Sequence, residues 1–250
     1  MSDHPIVSQA EWIEAQRALL AQEKAWTRER DRLSDLRRAL PWVKVEKAYL
    51  FQTLDGPVSL ADLFDGRSQL AVYHFMFGPD WEEGCPGCSF LCDQVDGARQ
   101  HFEHADLSFV AVSRGPIDKL MAYRERMGWT FRWVSSADSD FNADYHVSFP
   151  KDVRQHGVFY NFETAADPGT DELPGVSVFY QDEAGAIFHT YSSYGRGGEA
   201  FLPAYSWLDI APKGRQEGAT GDMRDWMRRH DRYEDDGRRR QAKPALAAAS

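Results

Sequence analysis

Apolar residues change their spacing several times along the chain, and each change predicts a different element. From position 8 to position 40 the pattern is helical. Trp12, Leu19, Trp26, Leu33 and Leu40 recur every seven residues and form one stripe. Ser8-Gln9-Ala10-Glu11 reads as a capping box, with Ser8 at the N-cap and Glu11 at N3, and Pro41 closes the run. From Tyr49 the spacing is strand-like. Tyr49–Thr53 and Val58–Leu60 predict a hairpin turning at Asp55-Gly56-Pro57. Leu60–Phe64 predicts a turn of helix closed by Gly66. Gln69–Phe77 is nearly all apolar, as a central strand covered on both faces requires. A helix is expected from Cys88 to about His104, with Leu91, Val95, Ala98 and Phe102 facing inward. Leu107–Val112 predicts a second buried strand, Ile117–Met127 an amphipathic helix, and Phe131–Val134 and Val158–Tyr160 short strands. Val176–Tyr180 and Ala186–Tyr191 flank Asp182-Glu183-Ala184-Gly185 as a hairpin, and Phe201–Ile210 is expected to be helical. Beyond Pro212 the chain is polar; a last helix over 221–234 and a disordered tail over 235–250 are expected.

Between the apolar strand and its following helix lies Gly84-Cys85-Pro86-Gly87-Cys88-Ser89-Phe90. Two thiols two residues apart, just past a buried strand and at the start of a helix, form the layout of thioredoxin-like redox sites. Helix-end N–H groups stabilise a thiolate there. Cys85 is the expected nucleophile, Cys88 the more buried resolving thiol, and Pro86 suits the first helical position. From Gln69 the order is strand, thiol loop, helix, strand, helix, which predicts a right-handed βαβ unit. With the later antiparallel hairpin and final helix this is an α/β, thioredoxin-like architecture, a central mixed sheet flanked by helices. The hairpin before the first buried strand is the addition found in peroxiredoxin-like variants. The expected division is an N-terminal helical arm over 1–45, a thioredoxin-like domain over 46–212, and a C-terminal helix and tail over 213–250. The long arm packs on its own domain or pairs two chains as a homodimer.

Other residues widen the chemistry. Cys92 lies four residues after Cys88, on the same helix face; it reads as a small apolar residue, or else as a second resolving thiol. Three clustered thiols also suit an iron–sulfur cluster or a metal ion, copper or zinc, with His74, His156 or His189 completing the set; the ligands would then be Cys85, Cys88 and His189, although His189, in a strand among Phe188, Thr190 and Tyr191, reads first as a core or edge residue. Tyr191, Tyr194 and Arg196 run into a Gly-rich loop that is placed to line a substrate pocket; the aromatic residues Phe77, Trp81, Phe90, Tyr191 and Tyr194 either line a small-molecule pocket or, the preferred reading, belong to the core. Pro174 stands where thioredoxins carry the cis-proline facing the redox pair, or is an ordinary turn proline. A peroxiredoxin needs Thr three residues before its reactive Cys; here Glu82 precedes Cys85 by three and Cys85 precedes Cys88 by three, which disfavours that mechanism.

Composition narrows the setting. A net charge of −10 argues against a general nucleic-acid binder. No apolar run approaches the roughly 18 residues of a membrane helix, and Met1-Ser2-Asp3-His4-Pro5 has no signal-peptide character. The expected location is cytoplasmic. The three Cys all fall between 85 and 92, which speaks for redox or metal chemistry rather than a disulfide scaffold.

Several stretches together resemble one bacterial family of thioredoxin-like proteins, DUF899. They are Phe75–Gly97 with its two-thiol motif, Ser177–Phe179 through His189-Thr190-Tyr191-Ser192-Ser193-Tyr194-Gly195-Arg196-Gly197, Tyr205–Asp209, and Asp225-Trp226-Met227-Arg228-Arg229-His230-Asp231. The resemblance spans about 8–234 and implies a thioredoxin-like fold; it implies no particular reaction. The residues themselves lead to the expectation of a thiol–disulfide oxidoreductase that requires no bound cofactor. Its partners would be a protein or small-molecule disulfide and an unidentified reductant. A metal-binding protein, a thiol peroxidase and a non-catalytic scaffold are the alternatives.

Overall fold

The structure, a computed structural model, describes residues 4–218 and 226–233. It divides into two compact units, Met1–Trp42 and Val43–Ser250. The first is one helix, α1 (Gln9–Arg38). The expected capping box closes its start: the Ser8 hydroxyl accepts from the Glu11 N–H, and the Glu11 carboxylate accepts from the Ser8 N–H. No residue of α1 is buried, and the heptad residues Trp12, Leu19, Trp26 and Leu33 all stand exposed.

The second unit is built on an eight-stranded sheet. In chain order its strands are β1 (Val43–Lys44), β2 (Leu50–Thr53), β3 (Gly56–Ser59), β4 (Gln69–His74), β5 (Leu107–Ser113) and β6 (Arg132–Ser135). After a separate two-stranded ribbon, β7 (Val158–Tyr160) and β8 (Glu163–Ala165), come β9 (Gly175–Gln181) and β10 (Ile187–Tyr194). The helices are α2 (Pro86–Cys92), α3 (Val95–His104), α4 (Ile117–Arg126), α5 (Phe141–Asp144), α6 (Lys151–Arg154) and α7 (Pro203–Asp209).

The spatial order is β1-β10-β9-β4-β5-β6-β2-β3. β4 pairs in parallel with β5 and antiparallel with β9, and β9 pairs antiparallel with β10. A parallel βαβ unit joined edge to edge with an antiparallel hairpin is the thioredoxin-like sheet. β6 extends it in parallel, and the β2–β3 hairpin closes that edge antiparallel. The hairpin turns one residue earlier than its Gly and Pro suggested. Gly56 already pairs with Thr53, and its φ of 114° is open to glycine without strain.

Alternation along the central strands separates two cores. Leu70 and Val72 of β4, Val110 and Val112 of β5, and Val134 of β6 join Phe51, Leu63, Phe141 and Phe179 in one cluster. Tyr73, Ala111 and Trp133 from the same strands point the other way and join Phe75, Phe77, Leu91, Tyr123 and Trp129 in another. Successive side chains of a strand face opposite sides, so each central strand serves both cores. The second cluster lies under the thiol loop. Phe75 and Phe77 are fully buried there, each contributing about 1.5–3 kcal/mol by burial.

Three expectations are corrected. The helix drawn from Cys88 to His104 is two, α2 and α3, broken at Asp93-Gln94. There the Gln94 side chain donates to the Phe90 carbonyl and accepts from the Ala204 N–H, while Asp93 accepts from Trp129 Nε1 and bonds His230. Ala98, expected inward, is exposed, although Val95 and Phe102 of the same α3 do pack on the core. The helix expected over 221–234 falls partly outside the described residues; within them only His230–Arg232 form a short 3-10 turn. The tail expected over 235–250 lies outside the described residues. Among the described residues no helix is long and apolar enough to cross a membrane.

Candidate active site around Cys85

The thiol loop is pinned at both ends. Phe75 N–H donates to the Val112 carbonyl, and Cys85 N–H returns to the Met76 carbonyl at 3.1 Å. Gly84 fits only without a side chain, since a Cβ there would sit 2.6 Å from the Phe75 ring and 2.9 Å from the Tyr123 ring. Cys85 is the N-cap of α2 and Pro86 its first residue, where the missing N–H of proline costs little. The chain therefore turns at Cys85 with the N–H groups of Gly87 and Cys88 directed back at its sulfur.

All three cysteines are free thiols, and their surroundings differ. Cys85 is half-buried; Cys88 and Cys92 are buried. The Cys85 pKa is lowered from 9.0 to about 7. The hydrogen bond from the Cys88 thiol is the chief cause. The N–H groups of Cys88 and Gly87 and the Arg229 charge add to it, against the opposing effect of burial. Cys88 moves the other way. Burial pushes it well above the ordinary thiol, although Tyr73 and the Met76 N–H, 3.4 Å from its sulfur, bond to it. Burial likewise raises Cys92, which packs in the core.

Behind Cys85 runs a hydrogen-bonded brace. The Ser89 hydroxyl donates to the Cys85 carbonyl at 2.9 Å and lies 2.9 Å from the Tyr123 hydroxyl. Arg229 donates to that Tyr123 oxygen at 3.0 Å and to the Gly84 carbonyl at 2.6 and 3.0 Å. Its other nitrogen pairs with Glu83 at 2.9 Å, and Glu83 also pairs with Arg126. Sequence reasoning missed Ser89, Tyr123 and Arg229. Ser89 lies within the thiol motif and Arg229 within the late Asp-Trp-Met-Arg-Arg-His-Asp stretch, but 145 residues separate Arg229 from Gly84, so no spacing rule links them.

In front of Cys85 opens a cavity of about 560 Å³. It brings together Cys85, Cys88, Pro174, Tyr194 and Arg196 of the expected residues, with Leu202 and Met227 opposite. Pro174 is trans, as no cis peptide bond occurs among the described residues. Its carbonyl accepts from the Tyr160 hydroxyl at 2.7 Å. Arg196 is largely exposed and pairs with Glu199 at 2.8 Å. Tyr191 and His189 do not line this cavity.

The metal set of Cys85, Cys88 and His189 is not assembled. His189 bonds the Ser192 hydroxyl at 2.8 Å and lines a separate cavity with Tyr145, His146 and Phe159. A bulge in β10 between His189 and Tyr191 turns it to that side. His74 is buried against Ser177. Among the described residues no three His, Cys, Asp or Glu side chains gather as a metal site. Of the aromatic residues read as core, Phe77 and Phe90 are buried and Trp81 packs against them partly exposed, while Tyr194 also walls the cavity.

A family model described as a bacterial protein of unknown function, DUF899, matches residues 1–233. The chain belongs to the DUF899 family. No curated protein matches it. Among solved structures, this DUF899 chain is similar to the peroxidoxin BcpB of Mycobacterium tuberculosis at 13% identity and a TM-score of 0.44, covering 66% of this chain and 94% of that one. It is similar to peroxiredoxin Q of Xanthomonas campestris at 13% identity and a TM-score of 0.42, covering 67% and 96%. A putative protein disulfide isomerase from Bacteroides thetaiotaomicron gives 14% identity and a TM-score of 0.37, covering 67% and 91%.

Proposed function

We propose that the chain is a thiol–disulfide oxidoreductase in which Cys85 attacks and Cys88 resolves. The observation that carries this reading is the asymmetry of the two thiols. Cys85 is accessible, opens onto a cavity and ionises near neutrality, whereas Cys88 is buried beside it and stays protonated. The Cys85 thiolate attacks one sulfur of a substrate disulfide, forms a mixed disulfide and releases the first substrate thiol. Cys88 then loses its proton and attacks the Cys85 sulfur. That step closes a Cys85–Cys88 bond and releases the second thiol, so the dithiol gives up two electrons and the substrate disulfide gains them. Ser89, Tyr123 and Arg229 hold the loop that carries Cys85.

The test is single turnover of the reduced full chain with hydroxyethyl disulfide, followed by peptide mass spectrometry. A Cys85–Cys88 bond in wild type, a trapped mixed disulfide on Cys85 in Cys88→Ala, and no reaction in Cys85→Ser are expected. Absence of the Cys85–Cys88 bond would refute the assignment. Oxidation by peroxide at a far higher rate than by any disulfide would move the chain to the thiol peroxidases.

A further inference from the structure

The cavity over Cys85 has a character that a protein disulfide does not require. Its volume, about 560 Å³, falls in the range of small-molecule sites, roughly 300–1,000 Å³. Its walls are mainly carbon, from Tyr73, Leu91, Val176, Leu202 and Met227. Two of its charges answer one another: Arg196 pairs with Glu199, which is also held by Arg215 at 3.1 Å. The remaining charged wall residue is a carboxylate, Glu217, which disfavours an anionic ligand.

The backbone facing Cys85 is also occupied. A polypeptide binding in extended form needs free N–H and C=O groups along a strand. Here the Leu173 N–H is given to the Val147 carbonyl at 2.9 Å, and the Pro174 carbonyl is taken by Tyr160. Gly175 pairs on both sides, with His74 and Tyr194. These groups on the segment Leu173–Gly175 are therefore already engaged within the fold.

We infer that the substrate is a low-molecular-weight disulfide with an uncharged, apolar body that fills this cavity, rather than a disulfide within a polypeptide. The inference rests on the reading of Cys85 and Cys88 as a redox pair. The disulfide accepts two electrons and leaves as two thiols, while Cys85 and Cys88 become bonded. A reductant of the dithiol class, such as dithiothreitol, returns them.

The experiment is single-turnover oxidation of the reduced full chain by dimethyl, diethyl, dipropyl and dibutyl disulfide, with oxidised glutathione and insulin as comparisons. Formation of the Cys85–Cys88 bond is read by mass spectrometry. Each methylene that enters an apolar wall favours binding about fourfold. The second-order rate is therefore expected to rise at least ~10-fold from dimethyl to dibutyl disulfide, and to exceed that with glutathione disulfide and insulin. Gly198 lines the cavity, has nothing within 4 Å of where a Cβ would stand and has no left-handed backbone, so its backbone accepts the side chain of Gly198→Phe, whose ring takes up cavity space. This variant is expected to abolish the chain-length dependence while the pH profile of Cys85 alkylation stays in place. A flat series, or insulin as the fastest oxidant, overturns the inference and leaves the redox pair standing. Failure of every disulfide to close the Cys85–Cys88 bond overturns both.

Discussion

Replacing Cys88 tests how the thiolate is made. The Cys88 thiol is the main cause of the Cys85 shift from 9.0 to about 7, so Cys88→Ala should carry the Cys85 pKa upward. Suppose the lowering is lost completely. The thiolate fraction at pH 7 then falls from one half to roughly 1%, a drop of about 50-fold. Each remaining thiolate is a stronger nucleophile: with a Brønsted slope of about 0.45, two pKa units raise its intrinsic reactivity about 8-fold. The net result is exchange about 6-fold slower at pH 7 and about 8-fold faster near pH 10, where both proteins are ionised. The two pH–rate curves must cross. The N–H groups of Gly87 and Cys88 and the Arg229 charge survive the substitution, so the observed crossing is expected inside these limits. Cys88→Ser keeps a hydroxyl donor and should fall between wild type and Cys88→Ala. The assay is loss of free Cys85 thiol with hydroxyethyl disulfide from pH 5 to 10, quantified by mass spectrometry. Curves for wild type and Cys88→Ala with the same midpoint would refute the assigned cause.

Arg229→Met removes both bonds to the buried Gly84 carbonyl and the charge near Cys85. Urea unfolding should show a loss of about 1–3 kcal/mol, and the Cys85 alkylation midpoint should move to higher pH. Gly84→Ala places a methyl against the Phe75 and Tyr123 rings, and a destabilisation of about 1–3 kcal/mol is expected in the same measurement. Glu172 is buried beside Arg114 at 2.5 Å, and burial raises its pKa from 4.5 to about 7. The folded state therefore holds this proton more tightly than the unfolded chain. The contribution is full below pH 4.5 and is lost as pH rises through 7, by about 3 kcal/mol. Glu172→Gln cannot ionise, so the stability difference between wild type and variant should change by about this amount between pH 4.5 and 8. A difference independent of pH would contradict the assignment.

Much of this protein was legible because its signals are local. The Ser8–Glu11 cap, the apolar run at β4, the two-thiol turn and the β9–β10 hairpin each depend on residues a few positions apart. Periodicity and turn chemistry report such elements directly. The α2–α3 break was not legible, because Gln94 and Asp93 are used by Ala204, Trp129 and His230, partners 36 to 137 residues away. His189 was read as a core or edge residue before a ligand, and the structure sets it beside Ser192 in a different cavity.

Order along the chain was thus enough to determine the thioredoxin-like arrangement and to mark Cys85 and Cys88, since strand and helix periods and the position of a thiol at a helix start are properties of contiguous sequence. Their roles were expected from the sequence, but only tertiary structure supplied the neighbours that tune the thiols. Burial separates Cys88 from Cys85, Arg229 returns from the far end of the described chain to hold Gly84, and the loops after β10 enclose the cavity with Leu202 and Met227. A pKa responds to charge, hydrogen bonding and solvent within a few ångströms, and those neighbours come from distant parts of the chain.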